Sequence, residues 1–81
     1  MATLRTYQDL LNLKCGTVGW LPKDCLILLA RQTGRVSSTW AGTEQEAANV
    51  YANTSGLSIQ NALNSKAGTV GWQLQDVAAI L

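Results

Sequence analysis

Apolar residues recur along the chain at helical spacing, in short segments separated by glycine-containing stretches. Tyr7, Leu10 and Leu11 form one such stripe, and Ile59 and Leu63 belong to another. A stripe of this period is typical of an amphipathic α-helix with one buried face. The pattern therefore predicts an all-α protein built of short helices.

One segment differs from the stripes because it is apolar on every side. Residues 25–30 read CLILLA, without a polar position among them. A helix that is apolar all round is usually covered by its neighbours. We therefore expect a central helix here, packed beneath the others.

The helical segments belong to an internal repeat of fifteen residues. Four copies align, at 6–20, 21–35, 43–57 and 58–72, and a partial copy occupies 73–81. Seven inserted residues, 36–42, account for the one irregular interval, and the pentapeptide GTVGW closes both the first and the fourth copy. Repeats of this kind are single supersecondary units that stack on each other. The sequence predicts one domain over 1–81, with about five short helices joined by Gly-containing turns and an insertion loop at about 36–42.

Capping residues stand where each predicted helix begins. Thr6, Thr43 and Ser58 occupy the N-cap position, and Glu46 completes the best capping box. Pro22 suits the first turn of the second helix. These positions predict where the helices start.

The repeated GTVGW is interpreted as a joint between helices. Gly16, Asn53 and Gly68 suit a left-handed helix cap, while Trp20 and Trp72 are placed to pack as hydrophobic staples on the helix that follows. A phosphate-binding loop would need a Lys and a Ser or Thr after the glycines, and neither copy has them. The pentapeptide is thus predicted to be structural.

Composition narrows the classes of function. The chain has six basic and five acidic residues and no histidine, which disfavours an enzyme, a metal centre or a bound cofactor. Asp9, Asp24 and Asp76 are better explained as charges near helix N-termini than as a catalytic pair. The basic residues are dispersed, so nucleic acid is an unlikely partner. A small-molecule substrate is not expected either.

No stretch of the chain suggests a membrane span or a signal peptide. A spanning helix needs about 20 apolar residues, and no run of that length occurs. The N-terminal segment, 1–10, lacks a signal-peptide core. The chain is expected to be made in the cytoplasm as a soluble protein.

The two cysteines occupy positions that other copies fill with alanine or other small apolar residues. Cys15 aligns with Ala67, and Cys25 with Ala62. They are interpreted as buried thiols. A disulfide between them remains an alternative, because both flank the first joint.

Trp40 is the first choice for a residue that anchors a partner. It lies in the insertion, where the repeat gives it no packing role. Large aromatic side chains often dominate the binding energy of an interface.

Three copies carry a Gln followed four residues later by an Asn, on one face of the helix. The asparagines are Asn12, Asn49 and Asn64. Such a pair can simply face solvent. The alternative is that the amides of stacked copies form a ladder that meets neighbouring units or another subunit.

The C-terminal segment ends in an apolar run that includes Val77, Ile80 and Leu81. An exposed apolar patch usually marks an interaction site. The segment is expected either to fold back over the second helix or to complete its packing against another chain.

The unit LSIQNALNSKAGTVGW, with its Gln-amide start, Ala/Leu/Asn middle and AGT-x-G close, resembles the short helical repeats of accessory structural proteins in tailed bacteriophages. The resemblance covers nearly the whole chain outside the insertion and is poorest over 21–35. It implies a component of the virion, such as a head-decoration, connector or tail-associated protein, made in the host cytoplasm. It implies no catalytic residues.

The sequence thus predicts a non-enzymatic structural or assembly protein. Its partners would be copies of itself or other subunits of a larger assembly. The alternative is a small helical binding module, with nucleic acid among its candidate ligands, because short helices joined by turns can also present a recognition helix.

Overall fold

The computed structural model describes residues 6–81, which fold into five α-helices with no strand among them. The helices are α1 (Tyr7–Cys15), α2 (Pro22–Gln32), α3 (Glu44–Ala52), α4 (Ile59–Ala67) and α5 (Leu74–Ile80). The prediction of an all-α fold with five short helices is confirmed.

Side-chain caps fix the start of three helices. The hydroxyl of Thr6 accepts a hydrogen bond from the backbone N–H of Asp9 at 3.1 Å, and Ser58 caps α4 in the same way. At α3 the bonding is reciprocal: Thr43 accepts from the Glu46 N–H, and the Glu46 carboxylate accepts from the Thr43 N–H. These bonds satisfy amides that the first turn of a helix leaves unpaired.

The same three helices end on a residue in the left-handed conformation. Gly16 and Gly68 have φ of 75° and 78°, and Asn53 has φ of 59°. Only glycine, and to a lesser degree asparagine, adopts this region at low cost. Helix α2 is the exception, because its capping residue Thr33 keeps a right-handed conformation.

The helices of residues 6–81 contact one another in a closed order. Each packs on the next helix along the chain, and α5 packs on α1; in no other pair of these helices do Cα atoms come within 8 Å. The apolar core lies between them, and α2 supplies its largest share, with Cys25, Leu26 and Ala30 fully buried. Although its segment 25–30 is apolar on every side, only α1 and α3 lie close to the backbone of α2, so this helix is not central in the sense that the sequence suggests.

The C-terminal helix folds back within the chain, but not over α2. It packs against α1 and α4, where Val77 is fully buried and Leu81 is partly buried against the core. The ammonium group of Lys14 donates a hydrogen bond to the backbone carbonyl of Leu81 at 3.2 Å. The expectation that the segment covers the second helix is therefore wrong.

Within residues 6–81, no helix combines the length and the apolar character needed to cross a membrane.

Candidate functional site

Each GTVGW loop is held from inside by an asparagine of the preceding helix. The amide nitrogen of Asn64 donates to the carbonyls of Gln60 and Trp72, at 2.7 and 3.1 Å. Its carbonyl oxygen accepts from the Thr69 hydroxyl at 2.7 Å and from the Trp72 N–H at 3.0 Å. One side chain thereby connects the end of α4 to both backbone polar groups of Trp72, the residue before the N-cap of α5.

The same four bonds recur at Asn12 and Asn49. Asn12 bonds Gln8, Thr17 and both backbone groups of Trp20, and Asn49 bonds Gln45, Thr54 and both backbone groups of Leu57. We call this arrangement the asparagine clip.

The clips overturn both interpretations of the asparagines. Asn12, Asn49 and Asn64 are 6%, 6% and 3% exposed, so they do not form a solvated face. Both donors and both acceptor positions of each amide are used inside its own unit, which leaves none for a ladder or for another subunit. Their predicted role in partner binding is wrong, because each amide already makes its hydrogen bonds within its own helix and the loop that follows.

A sequence signal for the clip exists, although helix periodicity does not reveal it. Asparagine is followed four residues later by Gly or Asn, then by Thr, any residue and Gly, in 12–19, 49–56 and 64–71. In the second copy Ile27 takes the asparagine position, and the loop there is held instead by Arg35, whose guanidinium donates to the Val50 carbonyl at 2.7 Å.

With threonine turned inward to the clip, the GTVGW loops expose their other large side chains. Val18 and Val70 are 92% and 93% exposed, and Trp20 and Trp72 are 42% and 41% exposed. The two tryptophans are thus only partly covered, and the rest of each ring faces solvent, while their packing as staples stays a prediction. Apolar groups held outward on rigid loops are a feature of interaction surfaces.

An open groove adjoins each tryptophan. The first has a volume of about 620 Å³ and runs along α2 beside Trp20, and the second, of about 520 Å³, runs along α5 beside Trp72. Equivalent positions 52 residues apart line them: Gly19, Trp20, Leu21, Asp24, Ile27 and Leu28 in the first, and Gly71, Trp72, Gln73, Asp76, Ala79 and Ile80 in the second.

We define two surfaces, each formed by groove residues together with the exposed valine of the adjoining GTVGW loop, which does not itself line the groove. The Trp20 surface comprises Val18, Trp20, Leu21 and Leu28, with Lys23, Asp24 and Arg31 beside them. The Trp72 surface comprises Val70, Trp72, Ala79 and Ile80, with Asp76 beside them. The charged groups of the first are two basic and one acidic, whereas the charged side chain lining the second groove is acidic.

Trp40, the predicted anchor, has a packing role that the repeat does not show. It is half-buried against the core, and its carbonyl accepts a hydrogen bond from the Arg31 guanidinium at 2.7 Å. Its ring covers Gly42, where a Cβ atom would lie 2.5 Å from the ring carbon Cζ2. The ring also lines a third groove, beside Glu46 and Asn49, so partner binding by Trp40 stays a prediction.

The three C-terminal residues that are predicted to bind a partner have different environments. Val77 is fully buried, so it cannot contact a partner, and that assignment is wrong. Leu81 is partly buried on the core, whereas Ile80 is half-exposed on the Trp72 surface. Of the three, Ile80 is best placed to meet another molecule.

Four basic side chains are engaged within the chain. Lys14, Arg31 and Arg35 donate to backbone carbonyls, and the ammonium group of Lys66 lies 4.9 Å from the centre of the Tyr51 ring. Lys23, by contrast, is exposed at the first groove.

The two cysteines are free thiols at the first joint. The Cys15 thiol donates to the Cys25 carbonyl at 3.2 Å, and Cys25 is buried. Burial, followed by the neighbouring Cys25, raises the pKa of Cys15 to about 12. Thiolates are the reactive form, so this environment makes Cys15 a poor nucleophile.

Among residues 6–81, no group of three His, Cys, Asp or Glu side chains is arranged to hold a metal ion.

Comparison with known proteins gives no match: neither a family model, nor a curated protein, nor a solved structure resembles the chain significantly.

Proposed function

We propose that the chain is a non-enzymatic assembly protein that docks onto other protein subunits through the Trp20 and Trp72 surfaces. The observation that carries the proposal is the paired display of a valine and a tryptophan on two loops, each held by an asparagine clip. A solvent-exposed apolar group has no stabilising role in an isolated domain, but it gains free energy when a partner covers it.

The clips lower the entropic cost of binding through these loops. A loop that is already ordered loses little conformational entropy when it binds, so more of the contact energy appears as affinity. Burying a valine or the exposed part of a tryptophan contributes about 2 kcal/mol each. Two such surfaces on one molecule would then bind a multivalent assembly far more tightly than either alone.

The sequence resemblance to accessory proteins of tailed bacteriophages suggests where such an assembly occurs. We propose that the chain is a virion component, in the role of a head-decoration, connector or tail-associated protein. Many weak, identical contacts on a symmetric lattice suit a small protein with two apolar surfaces. The internal use of Lys14, Arg31, Arg35 and Lys66 favours protein over nucleic acid as the partner.

The test replaces the two loop valines together. Phage particles are purified from cultures in which the native gene carries Val18→Ser and Val70→Ser, and the chain in the particles is quantified by mass spectrometry. We expect its content per particle to fall about tenfold, because both surfaces lose an apolar contact. The matched control is Leu13→Ser, which also changes an exposed apolar residue but lies on α1, outside both surfaces.

Two results would contradict the proposal. If the wild-type chain is missing from purified particles, it is not a virion component. If the double variant is incorporated as fully as the Leu13→Ser control, the two surfaces are not what docks.

A further inference from the structure

The two surfaces match each other in chemistry as well as in position. Both present a valine, a tryptophan and an aliphatic side chain at equivalent places, Leu28 in one and Ile80 in the other. Their charges differ in sign, because Lys23 and Arg31 outnumber Asp24 in the first, whereas Asp76 is the charged residue of the second groove.

These charges distinguish the possible pairings between copies. Two Trp20 surfaces face to face would bring Lys23 and Arg31 near the same groups of the other copy. Two Trp72 surfaces would bring one Asp76 near another. The mixed pairing sets a surface with an excess of basic groups against an acidic one, whereas either like pairing sets two surfaces of the same net sign against each other, which disfavours that pairing.

We propose that the Trp20 surface of one copy docks onto the Trp72 surface of a second copy, so that the chains associate head to tail. This inference rests on the proposed function and names the first partner as the chain itself. The tryptophans, valines and aliphatic residues provide the affinity, while Lys23 and Asp76 select the pairing. A head-to-tail contact uses two different surfaces, so a bound pair still offers one free surface of each kind, and further copies build a ring or an open filament.

The decisive experiment uses two variants that each destroy one surface. Trp20→Ala keeps the Trp72 surface, and Trp72→Ala keeps the Trp20 surface. Analytical ultracentrifugation over a range of concentrations should show wild type associating into larger species and each variant remaining monomeric. A mixture of the two variants should form a one-to-one dimer and nothing larger, because only one competent pair of surfaces remains.

Charge reversal gives a second test that does not remove a tryptophan. Lys23→Glu and Asp76→Lys each leave two surfaces of the same sign, and we expect either change to weaken self-association about tenfold. Mixing these two variants restores unlike charges at both contacts, so the mixture should assemble as wild type does. Asp9→Lys is the matched control, because Asp9 is an exposed residue in the first turn of α1 and lies outside both surfaces.

Several outcomes would overturn the inference. Wild type that stays monomeric would exclude it, while leaving the particle-incorporation test of the proposed function unaffected. Trp72→Ala protein that still forms a dimer would show that like surfaces pair. Charge variants that assemble like Asp9→Lys, alone and mixed, would remove the role of Lys23 and Asp76. Helix content measured by circular dichroism confirms that each variant is folded before it is scored.

Discussion

The side chain of Asn64 pairs with both backbone polar groups of Trp72, through contacts of 3.1 Å to the carbonyl and 3.0 Å from the N–H. In a β-sheet, a neighbouring strand bonds both the N–H and the carbonyl of a residue in this way. Here the amide of one side chain makes both bonds across a turn. These bonds hold the backbone of Trp72, and with it the position from which its ring and the exposed Val70 extend.

Removing the clip should destabilise the protein. Asn64→Ala leaves the N–H and carbonyl of Trp72 without their side-chain partner and the Thr69 hydroxyl unpaired. We expect the free energy of unfolding to fall by about 2 to 3 kcal/mol, measured by urea denaturation. Asn61→Ala is the control, since Asn61 is exposed on the same helix and should change stability by about 0.5 kcal/mol or less. Equal effects at the two positions would show that the clip contributes nothing.

A methyl group at Gly42 should displace Trp40. The added Cβ would lie 2.5 Å from Cζ2 of the ring, a contact that real side chains avoid by moving. We expect Gly42→Ala to cost about 1 to 2 kcal/mol and to increase quenching of tryptophan fluorescence by acrylamide. Ser38→Ala, in the same loop and exposed, should change neither quantity. Unaltered quenching in Gly42→Ala would show that the ring does not depend on the glycine.

The hydroxyl of Tyr7 should be dispensable for stability. It is buried and has no hydrogen-bond partner among residues 6–81, and burial, then the nearby charge of Glu44, raises the pKa of Tyr7 above its usual range. Because a buried unpaired polar group is unfavourable, we expect Tyr7→Phe to raise the free energy of unfolding by about 1 kcal/mol. Tyr7→Leu, which also removes the ring, should lower it through lost packing. A loss of stability in Tyr7→Phe would reveal a partner for the hydroxyl.

Alkaline pH should destabilise the fold partly through Cys15. Its folded pKa is raised to about 12, whereas an unfolded thiol titrates near about 8.5. The contribution of Cys15 is therefore fully present below about pH 8.5 and is lost as the pH rises towards the folded pKa. We expect Cys15→Ala to lose less stability than wild type between pH 7 and about pH 10 in urea titrations. Identical losses in both proteins would contradict the assignment.

Periodicity and capping residues were sufficient to predict the helices, because both depend on neighbours in the sequence. Thr43 and Glu46 cap α3 as their spacing indicates, and Gly16 and Gly68 end their helices. The clip does not follow from the pattern, because a polar residue on a helix face gives the same periodicity whether it meets water or a loop. The partial exposure of Trp20 and Trp72 does not follow from the pattern for a related reason: a large aromatic is expected inside, and how much of its ring faces solvent depends on the course of the loop.

The contact between α5 and α1 limits where a further repeat unit can be added. In an open stack of repeats, a duplicated unit simply adds length at one end. Here both outer helices are already occupied by each other, so a sixth unit would have to separate them and expose Val77 and Leu11, which lie in the core. The five described helices thus form a closed set, and joining such sets side by side extends the structure without breaking the contact between α5 and α1.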